Sequence, residues 1–178
     1  MKRIAIILLI GICTLSSAFC RAESVAITHD FDDMVSKGTL TFPYRPSDYS
    51  VGVTDLVTYT GSSGGGFGLY SSAFCITLPT GGVIQTSPAV ENLTRILVTH
   101  TKGAVPTGVR LYISTDNSSW SEITSLASLN SSAIEAPMPS KGNYYLKIVN
   151  ETASTINFLS VQYTYDNESC HCLRVVSE

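Results

Sequence analysis

Charged residues are scarce in this chain, since Asp, Glu, Lys and Arg together make up only 14% of its 178 residues. The 11 basic residues are scattered along the sequence. Proteins that bind a nucleic acid backbone instead cluster Lys and Arg on one surface. We therefore predict that nucleic acid is not a partner of this protein.

A sustained helical pattern is also missing beyond the first 22 residues, where no window of 11 residues repeats its apolar positions every 3.6 residues. Residues 32–37, followed by Gly38, are the only segment in which we expect a helical turn. Elsewhere, short runs alternate apolar or β-branched residues with polar ones, the period of a strand. The eleven runs are residues 25–29, 39–42, 55–60, 73–78, 83–86, 94–101, 109–114, 121–124, 133–136, 144–150 and 156–166.

Gly, Pro, Asn and Ser separate these runs at the spacing that is typical of an antiparallel sandwich. The sequence therefore predicts an all-β fold, an antiparallel β-sandwich of about 10–11 short strands with almost no helix. The alternation also predicts six mostly buried residues, namely Leu97, Leu111, Ile113, Leu146, Ile148 and Leu159.

The first 22 residues have the three zones of a secretory signal peptide: Lys2 and Arg3, an apolar run, and small residues ending at Ala22. The apolar run, residues 4–12, is shorter than the roughly 20 residues that a membrane-spanning helix needs. We expect cleavage after Ala22, although Ala18 also suits a signal peptidase. Lipidation of Cys20 is an alternative that Phe19, directly before it, disfavours.

This leader predicts an exported protein that is secreted, periplasmic or held at the cell surface without a transmembrane segment. Residues 23–168 would form one domain and residues 169–178 a C-terminal tail. Removal of Lys2, Arg3 and Arg21 would leave eight basic residues against 14 acidic ones, a formal charge of −6.

Three cysteines follow the leader, so one thiol must remain after any single disulfide forms. Cys170 and Cys172 are poorly placed to bridge each other, because only His171 separates them. We expect a bridge from Cys75 to the tail. The Cys-His-Cys cluster is also a possible soft-metal ligand set, but an ordinary tail is the favoured interpretation.

The segments at residues 81–88 and 90–96, with the hairpin pattern Ser-Thr-Asp-Asn-Ser-Ser-Trp at 114–120, resemble the jelly-roll modules of exported bacterial proteins. Those modules are similar to galactose-binding-like and carbohydrate-binding domains, and they often accompany polysaccharide lyases and glycosidases. The resemblance implies a jelly roll and a non-catalytic role in binding a glycan, such as an accessory role in polysaccharide degradation. A structural or adhesive protein that binds another protein is the alternative.

Five residues are candidates for the glycan site. Tyr44, Arg45, Asp48 and Tyr49 lie in the proline-flanked loop FPYRPSDYS, which mixes aromatic faces with hydrogen-bonding groups. Trp120 is the single tryptophan, and its alternative role is to cover the end of the sandwich. Because the chain is acidic, we expect a neutral glycan.

Asp30, Asp32 and Asp33 follow the first strand-like run. The resemblance implies a structural calcium ion between the first and last strands, and Ca²⁺ takes six to eight oxygen ligands. Asp30 and Asp32, with Asn157 at the start of the last strand, are therefore candidate ligands. We expect no other cofactor.

Catalysis is disfavoured because the sequence places no base beside a nucleophile and no paired carboxylates. Residues 61–65 match the G-x-S-x-G pattern of α/β-hydrolases, but that motif needs a helix after the serine. Further glycines follow instead, which favours a mobile connection. His29 and His100 lie within strand-like runs, and we expect both to be structural. A component of a lyase or glycosidase system is the remaining enzymatic alternative.

Overall fold

The computed structural model describes residues 21–38, 50–53, 56–101, 106–130 and 132–169, and these residues form twelve strands and one short helix. The elements are β1 (Arg21–Asp30), α1 (Phe31–Ser36), β2 (Ser50–Val53), β3 (Thr58–Ser62), β4 (Gly66–Tyr70), β5 (Ala73–Leu78), β6 (Val83–Ser87), β7 (Val90–His100), β8 (Val109–Ser114), β9 (Ser121–Glu122), β10 (Ser128–Leu129), β11 (Ala133–Asn150) and β12 (Ile156–Ser169).

All strand pairs are antiparallel, which confirms the predicted all-β class. Eight strands follow one path in the order β2-β3-β6-β11-β7-β12-β5-β4. The other four strands lie off this path: β1 pairs with β12, β10 and β8 pair with β11, and β9 pairs with β8. The path ends at β4, which follows β3 through a short turn, so the sheet is nearly closed. The continuous pairing differs from the two separate sheets of the predicted jelly-roll sandwich.

Strand β11 joins two leaves of this sheet. Its residues 133–144 pair with β7, and its residues 145–150 pair with β6 and β8. The first leaf also contains β1, β4, β5, β10 and β12, and the second contains β2, β3 and β9. Between Pro137 and Gly142 the register with β7 shifts, since a proline has no N–H to donate to the ladder. The sequence predicted two separate strands here, because prolines usually end a strand.

Side chains alternate between the core and the outside as predicted for Leu111, Ile113, Leu146 and Ile148, all of which are buried. Leu97 and Leu159 remain partly exposed. Leu97 lies on the opposite face of β7 from buried Ile96 and Val98, because successive strand residues point to opposite faces. Leu159 lies at a register shift between β12 and β7.

A buried aromatic cluster lies between the two leaves and consists of His29, Phe31, Tyr59, Phe67 and Tyr163. The Phe31 ring is 5.4 Å from the rings of both Tyr59 and Phe67, in edge-to-face geometry. Tyr163 donates a hydrogen bond to the Tyr59 hydroxyl (3.1 Å), which lies 2.6 Å from His29 Nδ1. These contacts connect β1, β4 and β12 of the first leaf with β3 of the second.

Helix α1 confirms the predicted helical turn. Its N-cap is Asp30, whose Oδ1 accepts a hydrogen bond from the amide of Asp33 (3.1 Å) and so satisfies one free donor of the first turn. Phe31, the first helical residue, is completely buried. The cap therefore places a core side chain where β1 ends.

The glycine-rich run at residues 61–68 contains the end of β3, a tight turn and the start of β4, and these strands pair with β6 and β5 rather than with each other. The mobility expected of this connection stays a prediction. The amide of Gly65 donates to the carbonyl of Ser62 (2.9 Å), and Gly64 adopts a φ of 80°. Positive φ is accessible to glycine at little steric cost. Because a strand rather than a helix follows, the hydrolase motif does not form an elbow.

Cys75 is a free, buried thiol in β5, contrary to the expected bridge to the tail. Its sulfur lies 3.6 Å from the carbonyl oxygen of Gly68, and burial raises the pKa of the thiol. Cys170 and Cys172 lie outside the described residues.

The predicted leader and the run at 39–42 lie almost entirely outside the described residues. Strand β1 begins at Arg21, so cleavage after Ala22 would remove its first two residues, whereas cleavage after Ala18 would leave it whole. Within the described ranges, we find no helix with the length and apolar character that a membrane crossing requires.

Candidate functional site

Of the five predicted glycan-binding residues, the structure describes only Trp120. Tyr44, Arg45, Asp48 and Tyr49 lie outside the described residues. Trp120 follows the turn between β8 and β9, which pair through Tyr112 with Glu122 and Ile113 with Ser121. The predicted hairpin before Trp120 is confirmed.

Asp116 organises the turn that leads to Trp120. Its Oδ1 accepts hydrogen bonds from the amides of Ser118 (2.8 Å) and Ser119 (2.7 Å) and from the hydroxyl of Ser114 (2.9 Å). These donors favour the ionised carboxylate and hold the pKa of Asp116 well below its usual range. Asn117 adopts a φ of 60° in the same turn. Asp and Asn suit this turn because their short polar side chains bond to nearby backbone.

The turn is tied to the outer surface of the second leaf. Gln85 Nε2 donates to Asn117 Oδ1 over 2.6 Å. Lys147 pairs across the sheet with Gln85 on one side and Tyr112 on the other. These three residues alternate with buried neighbours and therefore share the outer face.

Trp120, Tyr112 and Lys147 form what we call the aromatic platform. The ammonium nitrogen of Lys147 lies 4.3 Å from the centroid of the Trp120 ring and 5.0 Å from that of Tyr112, both within cation–π distance. All three side chains are partly exposed. Trp120 is therefore a surface residue that packs on a lysine rather than a core residue that covers the end of the fold.

The other cation beside the platform is already neutralised. Arg110 contacts Glu122 (3.2 Å) and Glu151 (3.1 Å). Lys147 differs, because no carboxylate pairs with it among the described side chains, and partial burial lowers the pKa of its amine. The platform thus offers two aromatic rings and one ammonium group that has no carboxylate partner in the part of the chain that the structure describes.

Sequence reasoning missed Tyr112, Lys147 and Gln85. Their alternation with Leu111, Ile113, Leu146, Ile148 and Ile84 places them on an outer face, and that signal was present. Their meeting depends on the pairing of β6, β11 and β8, which are distant in sequence.

The candidate calcium ligands each have a partner within the protein. Asp30 caps α1, and Asp32 Oδ1 accepts from the amide of Phe74 (3.0 Å). Asp33 pairs with Lys37, and Asn157 Oδ1 accepts from the hydroxyl of Thr77 (3.1 Å). A search of the described residues finds no group of three or more His, Cys, Asp or Glu side chains that could hold a metal ion. We derive no calcium site from this arrangement.

Both described histidines are buried, as predicted for structural residues. His29 belongs to the buried aromatic cluster, and His100 Nε2 lies 3.0 Å from the carbonyl oxygen of Asn130. Neither histidine belongs to the aromatic platform.

A polar groove of about 500 Å³ lies where β7 begins and β12 ends, lined by Glu91, Asn92, Tyr165, Asp166 and Asn167 among others. Its two carboxylates and two amides can bond to hydroxyl groups, but Lys141 already pairs with Asp166 (3.5 Å). Sequence reasoning missed this groove, because its polar walls come from two strands that are more than 70 residues apart.

No protein-family model matches the chain, and a search of curated proteins found no match. The jelly-roll resemblance therefore stays a prediction from the residues that carry it.

Proposed function

We propose that the protein is an exported, non-catalytic module that binds a glycan on the aromatic platform. The observation that carries this proposal is the partly exposed position of Trp120 and Tyr112, both within cation–π distance of the Lys147 amine. An aromatic ring loses water favourably against the apolar face of a sugar, while nearby polar groups bond to its hydroxyls. Gln85, Asn117 and Glu122 supply such polar groups around the rings.

The test begins with a glycan array probed with the purified protein, followed by calorimetric titration of the strongest hit. Trp120→Ala should weaken binding by about 1–3 kcal/mol, because it removes one stacking surface. Tyr70→Ala is the matched control, since Tyr70 is an exposed aromatic residue on β4, away from the platform. If both variants bind as the parent does, the platform is not the site.

A structural or adhesive role is the second candidate. Leu69 and Tyr70 are 51% and 42% exposed on β4, the strand that ends the path of the sheet. An apolar strand edge is a surface on which another protein can add a strand. Absence of binding across the array would favour this role over glycan binding.

The jelly roll and the exported state belong to the same proposal. Two leaves that enclose one core support a jelly-roll relationship, although β11 pairs continuously across both. N-terminal sequencing of protein recovered outside the cytoplasm should identify Glu23 as the first residue, or Phe19 if cleavage follows Ala18. An intact Met1 would contradict export by a cleaved leader.

A further inference from the structure

We propose that the glycan is acidic, with Lys147 receiving its carboxylate or sulfate group while the sugar ring packs against Trp120 and Tyr112. This inference rests on the proposed glycan function and adds the chemical class of the ligand.

Lys147 differs from the other described cations in its ion pairing. The structure describes five Lys and Arg side chains, namely Lys37, Arg95, Arg110, Lys141 and Lys147. The first four each pair with a carboxylate, at distances from 2.6 to 3.5 Å. Within this set only Lys147 has no carboxylate partner, although it is more buried than the exposed Lys37 and Lys141.

The two rings hold the Lys147 amine in place but leave its N–H donors free to bond to a ligand. An ammonium group has three N–H donors and no acceptor. A cation–π contact is an attraction to the ring quadrupole and not a hydrogen bond to an acceptor oxygen. The Tyr112 hydroxyl is the one acceptor oxygen that the two rings carry. An anionic oxygen would provide both an acceptor and the missing counter-charge.

The local charge at the platform differs from that of the whole chain. The nearby charged groups are Arg110 on β8, Glu122 on β9 and Glu151 directly after β11. The two ion pairs of Arg110 hold both glutamates on the guanidinium. Charges on distant parts of the surface are screened beyond about 8 Å at physiological salt. With Lys147 included, the nearby charges sum to zero, so the platform does not share the negative charge of the whole chain. The free N–H donors of Lys147 then set the preference for an acidic group, which departs from the neutral glycan that the overall charge suggests.

The experiment compares oligosaccharides that differ in the acidic group. We would titrate the protein with an oligogalacturonate, its fully methyl-esterified form, and a sulfated and an unsulfated galactan oligomer, at low and physiological salt. An acidic oligomer should bind at least about tenfold more tightly than its neutral counterpart, as expected for a charge-assisted hydrogen bond. Comparison of the oligogalacturonate with the sulfated galactan identifies whether Lys147 binds a carboxylate or a sulfate group.

Three variants make the result specific to Lys147. Lys147→Met keeps the packing of the stem and should remove the preference for the acidic oligomer, together with most of its salt dependence. Lys147→Arg should retain the preference, and Lys37→Met, a surface control, should leave it unchanged. If Lys147→Met fails to fold, Lys147→Gln, which also removes the charge, replaces it in the same comparison.

Three other outcomes would overturn the inference in distinguishable ways. Equal binding of acidic and neutral oligomers, lost in Trp120→Ala, would reject the acidic ligand and leave the proposed function standing. A preference for the acidic oligomer that Lys147→Met retains would place the anion elsewhere. No binding to any oligomer, and no hit on the array, would reject both proposals.

Discussion

The buried aromatic cluster and the aromatic platform use the same kinds of side chain in opposite ways. In the buried cluster, Tyr59 accepts a hydrogen bond from Tyr163 and lies within hydrogen-bond distance of His29 Nδ1, so its hydroxyl is engaged within the protein. In the platform, Trp120 and Tyr112 both lie within cation–π distance of an ammonium group that no described carboxylate neutralises. The tyrosine hydroxyls of the cluster bond within the protein and stabilise the fold, while the platform keeps hydrogen-bond donors for a ligand.

This difference follows from where each group faces. A buried polar group without a partner is costly, so the tyrosine hydroxyls of the cluster must bond to groups within the protein. A surface group can be solvated until a ligand replaces the water. Substitutions should therefore separate the two regions, with large stability effects in the cluster and small ones at the platform.

The largest effect should come from Phe31→Ala. Phe31 is completely buried between Tyr59 and Phe67, so truncation should lower the free energy of unfolding by about 3–5 kcal/mol. Urea denaturation measures the change. Leu69→Ala, at an exposed site on β4, is the control and should cost less than about 0.5 kcal/mol. Equal losses in the two variants would mean that the cluster does not stabilise the fold as described.

Tyr59→Phe should have the next largest effect. It deletes the hydroxyl that accepts from Tyr163 and leaves both Tyr163 and His29 without that contact. The expected loss is about 1–3 kcal/mol, the cost of leaving a buried polar group unsatisfied. Tyr163→Phe should cost less, because the Tyr163 hydroxyl is the last member of this series of hydrogen bonds and its loss removes only the contact with Tyr59. Chemical denaturation of the two variants at pH 7 tests this order.

Alkaline pH should destabilise the protein through the same pair. Burial, reinforced by the charge of Tyr163, raises the pKa of Tyr59, and burial also raises the pKa of Tyr163. The folded state therefore holds these protons more tightly than the unfolded state does. Stability is complete below the ordinary tyrosine pKa of about 10 and should fall above it, by up to about 1.4 kcal/mol per pH unit for each tyrosine. Urea midpoints between pH 8 and 11 measure the decline, which should be shallower in Tyr163→Phe.

Trp120→Ala should change stability much less than Phe31→Ala does. It removes a partly exposed ring and one cation–π contact, together worth less than about 1 kcal/mol. Thermal unfolding measures the loss. Solvation of Lys147 should increase, moving the pKa of its amine back towards the ordinary value, which NMR titration can follow. A loss as large as that of Phe31→Ala would identify Trp120 as a core residue after all.

Asp116→Ala should have the smallest effect on stability, because the turn that it organises is exposed. Its effect should appear at the platform instead, since Asp116 positions the segment that leads to Trp120. Trp120 is the only tryptophan, so its fluorescence reports this site alone, and we expect a shift of the emission towards longer wavelength. Asp116→Asn keeps one acceptor oxygen and should shift the emission less. Unchanged emission in both variants would show that the turn does not position Trp120.

Much of the fold was predictable because strand periodicity is local. The runs at 73–78 and 109–114 coincide with β5 and β8, and Asp30 and Gly38 bracket the predicted helical turn. The failures have local causes too. The glycines of β4 concealed a strand, and the prolines of β11 suggested a break where the ladder instead shifts its register.

The candidate site was only partly predictable. Trp120 was identified from the sequence as an aromatic residue after a turn, but the sequence did not decide whether its side chain points to the core or to the surface. The four loop residues, Tyr44, Arg45, Asp48 and Tyr49, stay predictions. Gln85, Tyr112 and Lys147 were not selected, since each looks like an ordinary outward residue of its own strand.

The sequence by itself determined the β class, the positions of most strands, and which face of each strand is apolar, because those properties depend on neighbouring residues. Only the tertiary structure decided that β11 joins two leaves, that Tyr59 contacts both His29 and Tyr163, and that Lys147 contacts both Trp120 and Tyr112. These contacts depend on strand order and register, which pair residues as distant along the chain as Arg21 and Ser169. A local pattern does not encode that pairing, because many strands with the same alternation could occupy the same place in the sheet.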